Sequence, residues 1–335
     1  MPIFPPATTE PETDALTREQ VLPAAKVLCG ELGLGGLEVT AFADGSLPVY
    51  AVGDKLVLKL YPPIYRHEMD IESSVLRAVH GRLPIPTPGV ERAGEFEGWG
   101  YVVMERLAGE TLKEVWPRLS TEDKQRLAPQ LGSVMATLHA VEDPTLDALG
   151  PGDWAGFVAK QKAVAVERHR RLRLSEVWVA QIPEFLDSVD FGEPEPVLLH
   201  TEFGREHIMM IRAADGWRVS GLFDFEPALR GAAEYEWVGA GMFVSGGDAD
   251  FLRRMLLGYG YGAEQLGEAL SRRFLAYALL HVYSNFRWYL EILPPPAEPT
   301  FDSLAKAWWG TDVATQALTT SEGSGDSVSR PAGSG

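Results

Sequence analysis

The sequence predicts an α+β fold in two unequal parts, a small antiparallel sheet crossed by one long helix and then a larger, mainly helical remainder. Three observations predict it. Strand-like apolar runs bounded by turn residues crowd residues 37–60 and 90–106. Helical spacing dominates after Gly109. One β interruption within 197–223 gathers polar residues at the ends of short apolar runs, where scaffolded loops carry chemistry.

The elements follow in order. Thr17, with Gln20 three residues on, is a capping-box signature opening a helix that carries Val21, Leu22, Ala25, Leu28 and Leu32, and Gly33, Gly35 and Gly36 stop it. Three strands are expected over 37–42, 47–52 and 55–60, the last two joined by the turn Gly53-Asp54. Ile64, Ile71, Val75, Leu76 and Val79 then mark a helix, ended by the proline-rich stretch 83–88. Further strands are expected near 90–96 and 101–106. Beyond Gly109, residues 121–141, 154–187 and 248–293 read as helical, interrupted by short strands at 197–199, 208–211 and 217–223. Residues 1–16 and 315–335 have almost nothing apolar to bury and are expected to be disordered. That leaves a sheet-rich part over 17–106 and a helix-rich part over 107–314.

Composition excludes several classes of protein. No apolar run reaches the roughly 18 residues of a membrane span, and the N-terminus lacks the order of a signal peptide, so a cytoplasmic protein with no membrane partner is expected. The lone Cys29 rules out an intramolecular disulfide and reads as a packed helix residue. With 30 Lys+Arg against 47 Asp+Glu, the net charge of -17 disfavours nucleic acid and favours a cationic partner or simple solubility. Oligomeric state stays open.

Residues 196–227 place His200, Glu202, Arg205, His207, Asp224 and Glu226 around one small hairpin. Phosphoryl transfer asks for such groups: a carboxylate to orient the attacking hydroxyl, another to hold Mg²⁺, and cations to offset phosphate charge. Lys59, near the end of an apolar strand and followed by a helix bearing Glu72, suits a phosphate-gripping lysine with an acidic partner.

This ordered set resembles the aminoglycoside phosphotransferase family, whose fold is protein-kinase-like. The family's His-Gly-Asp and, after four intervening residues, its Asn fall on His200-Thr201-Glu202 and His207, and its Ile-Asp-Phe falls on Phe223-Asp224-Phe225. Its Gly-Asp-x-x-Tyr-Asp falls on residues 231–236, ending at Glu236. Residues 45–50, including Ser46, resemble the nucleotide-covering loop, and Leu58-Lys59 the lysine strand. Glu72 matches the paired glutamate, residues 101–107 with Glu105 and Leu107 the hinge, and Leu138-His139 a helix end. The C-terminal residues 270–286 and 305–310 look nearest the hygromycin B kinase branch.

The resemblance implies ATP and Mg²⁺ as cofactors and a small-molecule acceptor, an aminoglycoside, as partner. It implies Glu202, His200 and Arg205 as catalytic groups, Lys59, Glu72, Ser46, Glu105 and Leu107 at the nucleotide, and Asp224 and His207 at the metal, with Glu206 as a helper. Two departures stand out: Glu202 replaces Asp, and His207 replaces an oxygen-bearing Asn although Mg²⁺ prefers oxygen. They leave two readings, an active kinase with a glutamate base and an impaired pseudokinase that binds nucleotide or ligand without transfer. Glu226 and Glu234, with Asp248, Asp250 and Glu291, are candidates to gather a polyamine acceptor, or else are solvated surface. Trp237, Trp288, Trp308 and Trp309 read as core.

Overall fold

Turn chemistry and strand alternation build the first part. The computed structural model describes residues 3–43, 45–214, 216–293 and 295–311, so the tail over 315–335 lies outside the described residues. Ahead of the predicted first helix stands a short one, α1 (Glu10–Asp14), closed by a reciprocal Thr9–Glu12 capping box. Upstream, Phe4 is buried and stacks on Trp99 with centroids 4.8 Å apart, and the Ile3 amide donates to Glu97 at 2.6 Å. The expectation of disorder over 1–16 is thus corrected from residue 3 onward. An aromatic anchor and a helix cap tie the segment to the sheet.

The predicted Thr17–Gln20 box opens α2 (Arg18–Glu31), which buries Val21, Ala25, Leu28 and Cys29. Three strands follow, β1 (Val39–Ala41), β2 (Val49–Val52) and β3 (Leu56–Tyr61). Gly53 takes φ +59 at the tight turn between β2 and β3. Amphipathic α3 (Arg66–Val79) precedes β4 (Val90–Phe96) and β5 (Trp99–Glu105), and the antiparallel sheet has the order β1-β2-β3-β5-β4. One face of this sheet packs under α2 and Phe4; the other joins α3 to the core of the second part.

That second part opens with β6 (Glu110–Thr111), α4 (Leu112–Val115) and α5 (Thr121–His139). The helical stretch 154–187 resolves into α6 (Trp154–Arg171), α7 (Glu176–Val179) and α8 (Ile182–Ser188), broken where Arg173 takes φ +61. The β interruption comprises β7 (Val197–Leu199), β8 (Ile208–Ala213), β9 (Gly216–Leu222) and β10 (Leu229–Gly231); β7 pairs with β10, and the β8–β9 hairpin takes β6 on its edge. Then come α9 (Ala233–Gly239), a π-helical turn over Ala240–Ser245, α10 (Ala249–Tyr259), α11 (Glu268–Leu280), α12 (Phe286–Ile292) and α13 (Phe301–Trp309). Helices α5 and α10 touch backbone to backbone: a Cβ on Gly132 would lie 2.0 Å from the Met255 carbonyl oxygen. No helix among the described residues is long and apolar enough to cross a membrane.

Candidate active site

Alternation along β3 turns Leu58 and Leu60 toward α2 and leaves Val57, Lys59 and Tyr61 on the opposite face, toward α3. Lys59 is only 4% exposed, so its ammonium must find partners inside the protein. It finds three. Nζ lies 2.9 Å from Glu72 Oε2 on α3 and 2.5 Å from Asp224 Oδ1 after β9, and it is also bonded to Glu226. Tyr61, two residues along the strand, donates its hydroxyl to the Glu72 carboxylate. Burial opposes the charge on Lys59, but Asp224 and Glu72 hold its pKa well above the ordinary value. Asp224, against its own burial, is held far below the carboxylate range by Lys59 and by a hydrogen bond with Glu226. Burial and then the Asp224 charge push Glu226 well above that range.

The loop after β7 supplies the second wall. His200 is fully buried; its backbone N–H donates to Glu236 at 2.6 Å and its ring Nε2 donates to the Phe223 carbonyl at 2.8 Å. Burial, then the neighbouring His207, lowers its pKa to about 4. Thr201 takes φ +69, where a β-branched residue is strained, and its hydroxyl bonds the Pro227 carbonyl at 3.1 Å. Asp224 takes φ +76, so both loops are held in left-handed backbone. His207 Nδ1 lies 2.7 Å from the Glu202 carbonyl and Nε2 lies 3.2 Å from Asp224 Oδ2. A carbonyl only accepts, so Nδ1 bears the hydrogen, and Nε2 needs a proton or a cation between itself and Asp224. Glu202 is half-buried, and burial raises its pKa.

The structure thus brings Lys59, Glu72, Asp224, His207 and Glu202 together. Other expected site residues lie elsewhere. His200 is corrected from a catalytic group to a strut between the two loops, because its ring ends on a backbone carbonyl. Arg205 is corrected too: its guanidinium bonds the Val244 carbonyl and stacks 3.4 Å from the Trp116 ring centroid. Glu105 accepts from the Gly89 amide, and with Leu107 it lines a cavity of about 900 Å³ that Lys59, Asp224 and Glu202 do not share. Ser46 is exposed. Glu206 sits on Lys113 at 3.4 Å. Glu226 is corrected from acceptor binder to partner of Lys59, and Glu234 is turned away onto Arg273 at 2.9 Å.

Behind the site, Glu236 is fully buried, accepts from the His200 amide and lies 3.6 Å from His139 Nε2; His139 Nδ1 meets the Tyr259 hydroxyl at 2.8 Å. Three of these groups were found by motif. Tyr61 was missed, although a signal for it exists: it shares the strand face of Lys59 at i+2.

A hard divalent ion suits this donor set. Donor atoms of Glu202, His207 and Asp224 lie within 4.8 Å of one another, as do those of Glu72, Asp224 and Glu226, and three carboxylates share one ammonium. Asp224 belongs to both groups, and the carboxylates provide the oxygen that Mg²⁺ favours.

The profile of the phosphotransferase enzyme family matches residues 38–270. The chain belongs to that family. It is a phosphotransferase with a hydroxyl acceptor. No curated protein sequence matches it. Among solved structures, the phosphotransferase superposes on the GDP complex of wild-type aminoglycoside 2'-phosphotransferase-IIIa with a TM-score of 0.66 and 17% identity, over 81% of this chain and 96% of that one. The streptomycin–ATP ternary complex of APH(2'')-IIa gives 0.57 and 16%, over 80% and 95%. Apo macrolide 2'-phosphotransferase MphH from Brachybacterium faecium gives 0.54 and 20%, over 82% and 99%. These likenesses give the phosphotransferase a protein-kinase-like fold.

Proposed function

We propose that the chain transfers the γ-phosphoryl group of ATP to a hydroxyl of a small cationic acceptor, with residues 17–106 gripping the nucleotide and 107–314 supplying the reacting groups. The observation that carries this is Lys59, an ammonium held between Glu72 and Asp224 and free to exchange a carboxylate for phosphate oxygens. Glu202 accepts the proton of the attacking hydroxyl; the burial that raises its pKa also brings it closer to the strength such a base needs. Asp224, with Glu226 beside it, would hold Mg²⁺, which when bound neutralises charge on the phosphates. His207 fixes the Glu202 backbone and presents its other nitrogen to Asp224, which supports a positioning task more than an Asn-like ligand task. Bound ATP, GDP or ADP in several structurally similar proteins supports a nucleotide here.

The acceptor we expect is a hydroxylated amine. Aminoglycosides of the hygromycin B type and amino sugars on macrolides both qualify by chemistry. Purified protein with Mg-ATP and a panel of such amines should give a product heavier by one phosphate in mass spectrometry. Asp224→Ala should abolish it; unchanged rates for that variant across Mg²⁺ concentrations would remove Asp224 from its role.

A further inference from the structure

We infer that Tyr61 is a positioning residue for phosphate binding, its hydroxyl holding Glu72 so that Lys59 stays presented when phosphate oxygens take the place of Asp224 and Glu226. The inference rests on the phosphotransfer reading and adds to it a group that no motif marked. Its first support is the geometry at Glu72, a carboxylate 1% exposed whose lone pairs must be met from within the protein. Oε2 takes Lys59 Nζ at 2.9 Å and also accepts the Tyr61 hydroxyl, while Oε1 accepts the Phe225 amide at 3.3 Å, one residue beyond Asp224. Glu72 thus ties the lysine strand to the loop carrying Asp224. Of these three donors, Tyr61 alone belongs to neither the ammonium nor that loop.

The second support is that packing accounts for the ring of Tyr61 but not for its hydroxyl. Tyr61 is fully buried and pairs across the sheet with Gly100 on β5, where a Cβ would lie 3.3 Å from the Tyr61 Cβ. A phenylalanine would bury the same ring with no polar group to satisfy. Two other fully buried tyrosines direct their hydroxyls to backbone: Tyr50 donates to the Arg18 carbonyl at 2.8 Å, and Tyr235 accepts from the Val282 amide at 2.9 Å. The Tyr61 hydroxyl goes instead to a carboxylate of the site. The consequence is electrostatic. Once phosphate has displaced Asp224 and Glu226 from the ammonium, Glu72 is the acid that keeps Lys59 in place. Without the Tyr61 donor, Glu72 either turns or clings to the lysine as its sole side-chain partner, and in both cases the ammonium is offered less to phosphate.

Calorimetric binding of Mg-ATP and of adenosine, which lacks the phosphates, is measured with the full chain, Tyr61→Phe, Glu72→Gln and the double variant, with melting curves checking the fold. Tyr61→Phe should bind Mg-ATP about tenfold more weakly and adenosine as the wild type does, a split that loss of packing would not produce. In the Glu72→Gln background the same change should cost less than about twofold, because the hydroxyl acts through the carboxylate. A second readout needs no tyrosine variant: the wild-type Tyr61 hydroxyl proton should give a downfield, slowly exchanging NMR resonance that persists with Mg-ATP bound and moves upfield in Glu72→Gln. Equal Mg-ATP affinity in wild type and Tyr61→Phe, an equal loss for adenosine, or a hydroxyl resonance that vanishes on adding Mg-ATP overturns the inference and leaves the phosphotransfer reading in place. Wild type that binds no Mg-ATP overturns both. Phosphate-selective loss in a protein that transfers to no acceptor supports the inference and counts against transfer.

Discussion

Two regions of the molecule are built by opposite means. Around Lys59, four side chains from three elements lock together: Lys59 with Glu72, Asp224 and Glu226, all largely buried. Elsewhere in the second part, Trp288 and Tyr283 face solvent, 47% and 56% exposed. The difference teaches that the desolvated ion-paired cluster tolerates little displacement, while the exposed rings can be altered at small cost.

The sharpest break of this contrast is Glu202→Gln, at the carboxylate proposed as the base beside Asp224. Turnover should fall by about 10²–10⁴-fold with nucleotide affinity little changed, read by single-turnover kinetics and nucleotide titration. Wild-type turnover would end its assignment as the base. Next is Lys59→Met, which strands its carboxylate partners without a cation and should cost about 3–5 kcal/mol in denaturant unfolding, besides transfer. Glu226→Gln, which keeps a polar partner for Lys59 and leaves Glu72 and Asp224 to balance its charge, should cost far less. Equal costs for the two variants would mean that Glu72 and Asp224 alone do not balance the Lys59 ammonium.

Acid should loosen the floor beneath both regions. Burial lowers the pKa values of His169, His200 and His281 to about 4 from an ordinary 6.5. Unfolded histidines take up protons near pH 6.5 while the folded ones resist until about pH 4, so their stabilisation is complete above pH 6.5 and is lost as pH falls toward 4. The melting temperature should drop across that window, and a flat profile would mean that these rings take up protons at the same pH in the folded and unfolded states. The smallest effect is expected at Thr201. Thr201→Gly relieves φ +69 but loses the bond to Pro227, for a net change within about 1 kcal/mol, whereas Thr201→Val keeps the strain, loses the bond and should be less stable than Thr201→Gly.

Those variants probe residues that differed greatly in how legible they were. Lys59, Glu72, Glu202, His207 and Asp224, singled out by the family resemblance, do lie together, each at a strand end, on a helix face or in a tight loop. Glu226 and Arg205 could not be read, since their partners lie 167 and 39 residues away along the chain, at Lys59 and Val244. Arg205 looked reactive between Glu202 and His207, yet its direction is set by Trp116 and the π-helical turn. Trp288 looked like core because tryptophan usually is, and only the packing of α12 against Phe243 shows otherwise. The helix at Glu10–Asp14 was legible in principle, because Thr9 and Glu12 carry the same signature as Thr17 and Gln20.

The stacking of Phe4 on Trp99 bears on how the protein is handled at the bench. Trp99 begins β5, the strand that pairs directly with the one carrying Lys59. Trimming the chain past Phe4 to obtain a tidier recombinant product would bare an indole that is 2% exposed and uncover the outer face of that sheet. Such a shortened preparation should be more prone to clumping and to protease nicking, and an inactive batch of it would say nothing about the chemistry of the intact chain.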